Sequence, residues 1–394
     1  TNVPAELASF KNMLERFENG AGKKLDAFLS EAEFKYKVGI QKLVFKPGFS
    51  ISEFADWDVI RGIFKLDVLT SVESHIKKYF SHPKIRQMLE FPVLFLGATP
   101  ADTPALYSLM NYADIIKGTW YPTGGMYSVV DGMYRLAIEL GVRFQFSETV
   151  ERIDIQNKKA KKILTDKGEY EADVVIGGAD YHFIEKNLLP PEARMYSENY
   201  WSKRMMAPSC LLYYVGLNKK LKNVEHHSLF FDSSFDEHAK DIYERKDWPE
   251  HPLFYASAAS VTDPSIAPEG CENLIFLIPV AAGLKNDDEA LREKYFKDIV
   301  NRFEARVGEK ISDSIIVKET FSVSDFEKEY NSFMGNAYGL ANTLMQTAVF
   351  RPRCRSKKLK NLFYTGQLTV PGPGVPPSLI SGEVVAKQVV KYYG

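Results

Sequence analysis

Cysteine is scarce. Cys210, Cys271 and Cys354 are far apart and odd in number, which excludes a disulfide framework or a zinc-type pair and fits a reducing compartment. Histidine is also sparse: the only adjacent pair among the seven is His226-His227, and neither H-x-x-x-H nor H-E-x-x-H occurs, so no helix-borne metal site is expected. Long hydrophobic runs are missing. The longest uncharged ones, 91–101 and 273–284, are broken by proline and shorter than the about 20 residues that cross a bilayer. No excess of one charge sign exists, with a formal net charge of -1, which removes the usual reason to expect nucleic acid. Finally, no G-x-G-x-x-G turn follows a strand: Gly20 and Gly22 come after a charged helix, and position 25 is leucine.

What is present gathers near the C-terminus, from Asn361 to Glu383. Leu362 to Thr365 reads as a buried strand, Gly366 to Pro377 as a loop, and Ser378 to Tyr393 as a helix with Val384, Val385 and Val389 on its apolar side. Gly366, Gly372 and Gly374 remove side chains where a ligand approaches backbone, and four prolines stiffen the loop. A helix start behind such a loop offers free N–H groups and a positive dipole end, suited to phosphate or an electron-rich ring edge. Pro376 and Pro377 lack an N–H, so the expected donors are Gly374, Val375, Ser378 and Leu379. A rigid connector with no ligand is the alternative, and this stretch alone leaves both open.

Upstream, Leu7, Phe10, Leu14 and Phe17 mark an amphipathic helix, and a second helix from Lys23 enters a region mixing rings and lysines: Phe34, Lys35, Tyr36, Lys37, Phe45, Lys46, Phe64, Lys65, Lys77, Lys78, Tyr79 and Phe80. That mixture suits either a membrane surface or a solvated helical lobe. After the Gly118–Gly125 turn a helix is expected over 127–140, then strands: Val142, Phe144 and Phe146 alternate with polar residues, and a meander continues through Val150, Ile153 and Ile155 with turns at Asn157 and 166–168. Asp173 to Asp180 is an apolar strand running into glycines. Beyond Pro190-Pro191, strands at 209–217, 228–232, 252–258, 273–279 and 314–320 and a helix at 287–307 predict a mixed sheet with helices against one side, and 232–250 reads as a charged, hinge-like stretch.

Five segments in order carry a resemblance: Gly118-Thr-Trp-Tyr-Pro-Thr-Gly-Gly125, Thr262-Asp-Pro-Ser-Ile-Ala-Pro-Glu-Gly270, Gly335-Asn-Ala-Tyr-Gly339, Phe350-Arg-Pro352 and the Thr365-Gly to Pro-Gly-Pro-Gly-Val-Pro loop. Together they resemble the bacterial phytoene desaturase family of carotenoid desaturases, over nearly the whole chain. The resemblance implies an α/β, FAD-binding two-domain fold of the flavin amine oxidase type. Residues 1–117 would form a helical, membrane-facing lobe, 118–185 and 341–394 a discontinuous FAD-binding domain, and 186–340 a mixed-sheet substrate domain. It also implies an N-terminal strand, G-x-G-x-x-G turn and helix that these 394 residues do not contain; the expectation is that this unit lies in a preceding segment, and that without it FAD binds weakly or not at all.

By the same resemblance, the flavin ring and ribityl chain lie against Thr365, Gly366, Gln367, Gly374, Val375 and Pro376 and the helix start at Ser378 and Leu379. Adenine lies beside the Val150 backbone, and Ala179 and Asp180 lie near the nucleotide half. The implied activity is FAD-dependent introduction of C=C bonds into a carotenoid by an enzyme peripheral on the cytoplasmic side of the membrane. Phytoene, a monocyclic carotene such as gamma-carotene and a hydroxylated acyclic carotene stay open as substrates, with 3,4-desaturation among the reactions. Residues 91–96 and 107–112 are candidate tunnel walls, with plain core as the alternative, and Asp114 is the one acid or base candidate. Two other readings belong to the same fold: a non-catalytic lipid or carotenoid carrier, as in Rab escort and GDP-dissociation inhibitor proteins, and a flavin oxidoreductase acting on an amine or a retinoid (an amine oxidase or retinol saturase).

Overall fold

Apolar residues recurring every three or four positions dictate the first helices. The computed structural model of the chain describes residues 1–54, 67 and 69–394. Helices α1 (Leu7–Glu15) and α2 (Ala21–Val38) bury Phe10, Leu14, Leu25 and Phe28, packed with Ile76 of α3 (Val72–Lys77) and Ile85 of α4 (Pro83–Glu90). The Glu15 carboxylate accepts from the backbone of both Gly20 and Gly22 at 2.8 Å. An acidic group thus satisfies N–H groups that the start of α2 leaves without intrahelical partners.

The region of mixed rings and lysines is half-buried for the most part, with its residues divided between the core and the surface. Lys35 and Phe80 are buried, and exposed Lys37 and Lys77 are paired with Glu33 and Glu73 one helical turn away. Phe64 and Lys65 lie outside the described residues. No helix among the described residues is long and apolar enough to cross a membrane.

After the Gly118–Gly125 turn comes α5 (Tyr127–Glu139), which buries none of its residues; Val130, Met133 and Leu136 are exposed. The alternation at 142–146 does not become a strand. A strand needs a neighbour for its backbone groups, and no described residue pairs there; instead Phe144 stacks on Phe146 and edges onto Tyr134. The meander forms as expected from β1 (Val150–Gln156), β2 (Lys159–Thr165) and β3 (Glu169–Glu171), all antiparallel. Asn157 and Lys158 both take positive φ at the first turn, the geometry that matches strand twist in a two-residue hairpin. Strand β4 (Val175–Gly177) follows.

Strands β5 (Ser209–Leu217), β6 (His227–Phe230), β7 (Phe254–Ser257), β8 (Glu272–Val280) and β9 (Ile315–Phe321) build one sheet in the order β6-β7-β8-β5-β9. Every pairing is antiparallel, a correction to the expected mixed sheet. Strict alternation on β8 turns Leu274, Phe276 and Ile278 inward to meet Ile299 and Phe303 of α6 (Glu289–Val307). The supposed hinge at 232–250 instead holds a helix, Phe235–Lys240, tied down by His238 on the Pro279 carbonyl at 2.8 Å. Last come β10 (Leu362–Tyr364) and α7 (Val375–Tyr393).

The chain divides into two compact units, Thr1–Thr119 with Thr149–Ala207 and Tyr338–Gly394, and Trp120–Glu148 with Pro208–Ala337. This groups 1–117 with the expected cofactor segments and moves 120–148 to the five-stranded sheet. Within the second unit the Gly124 N–H donates to Asp263 at 2.6 Å, binding the 120–125 segment to the 262–270 loop.

Candidate cofactor site

Two segments about 190 residues apart, an arrangement no local pattern reveals, meet as parallel strands: Leu362, Phe363 and Tyr364 of β10 stand opposite Val175, Ile176 and Gly177 of β4. Thr365 N–H extends the ladder to the Gly177 carbonyl at 2.9 Å. The side chain of Asn361 sets the register. Its Oδ1 accepts from Ala160 N–H, and its Nδ2 donates to the carbonyls of Ala160 and Asp173, each at 2.8 Å. Both strands leave their carboxyl ends through glycine into a helix, the situation in which open α/β sheets bind ligands.

At the end of β4, Gly177 makes room for Ile184, since a Cβ there would stand 2.6 Å from Ile184 Cδ1. Ala179 is exposed, and the Asp180 carboxylate accepts from Phe183 N–H at 3.0 Å as a helix cap. At the end of β10, Gly366 has φ 102 and no heavy atom within 4 Å of where a Cβ would be, so this backbone faces open space beside half-buried Thr365 and Gln367. Its N–H is held by the buried Ser381 hydroxyl at 3.1 Å, a contact sequence reading missed because it spans a loop with no periodicity.

Helix α7 starts at Val375, three residues earlier than expected. Pro376 and Pro377 therefore sit in its first turn, where a missing N–H costs nothing. Ser378 N–H already donates to the Gly374 carbonyl at 3.0 Å, and Leu379 lies one position deeper. Of the four expected donors, Ser378 and Leu379 are thus committed within the helix, and Gly374 and Val375 stand ahead of its ladder. Val150 opens β1, half-buried, opposite Thr165.

Open space at Gly366, the positive end of a 19-residue helix and the ends of two parallel strands fit the ring and ribityl part of a flavin. The pyrophosphate part has no G-x-G-x-x-G turn among these residues.

Asp114 is exposed on the turn Ala113–Lys117, and its carboxylate accepts from Thr119 Oγ1 at 2.6 Å. A surface carboxylate tying a local turn predicts that Asp114→Asn keeps turnover within about twofold; steady-state assay of the variant checks this. Of the candidate tunnel walls, Val93 belongs to the helical core, with Tyr107 and Met110 packed against it, and the side chains of 94–96 lie outside the described set. Buried Lys35 and His75 of that lobe belong to a polar cluster. Glu31, Asp67 and His75 converge within 4.8 Å, but the Lys35 ammonium stands among them, 3.2 Å from Asp67 and 3.3 Å from His75 Nε2. Burial first, and then the Lys35 charge, push the His75 imidazole down to about 4, so its neutral ring accepts from the lysine.

A family model described as flavin containing amine oxidoreductase matches residues 61–390. The chain belongs to that family. Among curated relatives, the carotenoid 3,4-desaturase of Haloarcula japonica is 38% identical over 96% of this chain and 76% of its own length. The zeta-carotene-forming phytoene desaturase of Myxococcus xanthus is 29% identical over 98% and 75%. Solved structures agree at the level of fold: an oxidoreductase from Methanosarcina mazei (TM-score 0.55, 14% identity, 87% of this chain and 78% of that one) and a putrescine oxidase variant (TM-score 0.54, 11% identity, 95% and 76%). As a flavin-containing amine oxidoreductase, the chain is an FAD-dependent oxidoreductase of the flavin amine oxidase fold.

Proposed function

We propose that this protein is an FAD-dependent carotenoid desaturase. The observation that carries the reading is the 38% identity to the Haloarcula japonica desaturase, sustained over almost the whole chain. The crevice at the ends of β4 and β10 supports it. There Thr365, Gly366, Gln367, Gly374, Val375 and Pro376 would hold the ring end of FAD, with Ala179, Asp180 and Val150 toward the nucleotide half. The chemistry FAD supplies is removal of a hydride from a saturated carbon pair as it becomes C=C, while a proton leaves separately. This chain's residues then have three tasks: to support the ring through backbone, to align an apolar chain, and to keep water out.

A carotenoid gains about 0.8 kcal/mol per methylene on leaving water, so it resides in lipid and must be collected there. We place the enzyme peripherally on the cytoplasmic face of a membrane. Exposed Ile51 and Leu69 on the helical lobe, 72% and 91% accessible, support contact with the headgroup boundary. The 3,4 position of a monocyclic or hydroxylated carotene is the favoured site of desaturation, because the relative at 38% identity is named for it.

Expression in cells that accumulate phytoene, gamma-carotene or a hydroxylated acyclic carotene tests the reading. The expected product has lost one hydrogen pair and absorbs at longer wavelength. Pigment bound but unchanged, by a full-length protein lacking flavin absorbance after FAD addition, favours the carrier instead.

A further inference from the structure

The Phe350-Arg351-Pro352 segment places a guanidinium inside the protein, 2% exposed, against the backbone of the 366–372 loop. Arg351 Nη1 donates to the Gln367 carbonyl at 3.1 Å, and Nη2 donates to the Leu340 carbonyl at 3.0 Å and to Asn342 Oδ1. Gly372 allows this approach, because a Cβ there would stand 2.9 Å from Nη2. One side chain thus joins the segments at 340–342, 367 and 372. Its Nε has no hydrogen-bond partner among the described residues. Among the described residues no carboxylate forms an ion pair with it, and the ionisable groups that act on its charge are Tyr107 and Tyr200. Burial lowers Arg351 to about 10, which leaves it protonated at neutral pH.

A buried cation without an anion costs several kcal/mol, and three neutral acceptors offset only part of that. Holding a loop in place does not require a charge; a neutral amide can donate to the same carbonyls. What a fixed charge adds is a preference for negative charge nearby. Hydride transfer breaks a substrate C–H bond and delivers its electron pair to the flavin ring, which gains one negative charge, while the second substrate hydrogen leaves as a proton.

We propose that Arg351 is a positioning residue for FAD that also supplies the resident cation favouring its reduced, anionic form. The proposal rests on the flavin reading above. It assigns two separable tasks, the fork that fixes the Gln367 carbonyl and the charge that tunes the ring.

Three variants of the FAD-loaded protein separate them, read by FAD affinity from fluorescence titration and by the midpoint potential of the bound flavin. Arg351→Gln is expected to weaken FAD by roughly tenfold or more and to shift the potential negative. Arg351→Lys keeps the charge but cannot hold 340, 342 and 367 together, so affinity falls and potential stays near wild type. Asn342→Asp keeps the contact and neutralises the cation in place, so the potential shifts negative while affinity stays within about threefold. If Arg351→Gln fails to fold, the potential of Asn342→Asp decides alone. Wild-type potential in the charge-neutralised proteins, with loss only of thermal stability, overturns the proposal and makes Arg351 a structural residue. A full-length wild type, with the G-x-G-x-x-G unit present, that takes up no FAD overturns the desaturase reading itself, and this one with it.

Discussion

Alanine in place of Gly339 is expected to strip the protein of its flavin while leaving most of the fold intact. Gly339 is buried with φ 91, a backbone state that costs an L-residue about 1–3 kcal/mol. The larger effect is contact. A Cβ there would stand 2.8 Å from Gln367 Cγ, 2.9 Å from its carbonyl oxygen and 3.1 Å from its carbonyl carbon. Two of those atoms are backbone, pinned by Arg351 on one side and by the turn bond from Thr369 N–H to the Gly366 carbonyl, 3.2 Å, on the other. They can yield only if the 366–372 loop moves, and that loop is the proposed support of the ring. FAD affinity is expected to fall by roughly 10- to 100-fold, as about 1.4 kcal/mol per decade implies.

Gly308→Ala is the matched control. That glycine closes α6 at φ 74 with nothing within 4 Å of a Cβ, so alanine there meets the conformational cost of about 1 kcal/mol without the clash. The measurement is flavin retained per protein after desalting, together with the melting temperature. Equal retention by the two variants would remove Gly339 from the site.

Where the sequence carries local chemistry, the fold was readable. β5 comes out at 209–217, because an almost continuous apolar run there suits a strand in the middle of a sheet. α6 ends at Gly308 and is capped at its start by Asp288, both signals of residue type alone. The meander follows from its turn residues. The failures share a cause, which is that the deciding partner is distant or lacking. Residues 142–146 have a strand's pattern but no neighbour to pair with among the described residues. Lys35 reads as surface by type, yet it is buried by Asp67 and His75, 32 and 40 residues away.

The site divides the same way. Ala179, Asp180, Thr365 and Gly366 are brought to adjoining strand ends, as a strand-then-glycine pattern anticipates. The proline pair misled because it reads as a breaker, although a first helical turn tolerates it. The contacts of Arg351, Asn361 and Ser381 were not legible, since each acts mainly on backbone far along the chain, where neither spacing nor composition leaves a trace.

The five-stranded sheet unit should lose stability between about pH 6.5 and about pH 4, with His238 responsible for one proton of the slope. His238 Nδ1 accepts from Leu253 N–H at 3.0 Å, so the ring hydrogen is on Nε2, where it donates to the Pro279 carbonyl at 2.8 Å. A second proton would have to enter at Nδ1, against an N–H donor and inside the core. Burial above all, with the Arg302 charge adding to it, pushes the imidazole from 6.5 down to about 4. In that interval the unfolded chain holds a proton that the folded one refuses, so stability rises with pH there. The contribution is complete above the unfolded value and disappears as pH falls through the folded one. At about 1.4 kcal/mol per unit the shift amounts to about 3 kcal/mol. Glu18 provides a contrast, since hydrogen bonds from Lys24, His82 and Ser81 outweigh its burial and hold it at about 2, which puts its loss of stability at lower pH. Replacing His238 with glutamine, which can still accept and donate, is expected to lower overall stability yet flatten the dependence by about 1.4 kcal/mol per pH unit. Denaturant melts from about pH 4.5 to about pH 7.5 measure that slope, and an unchanged slope in His238→Gln would show that another group carries the proton.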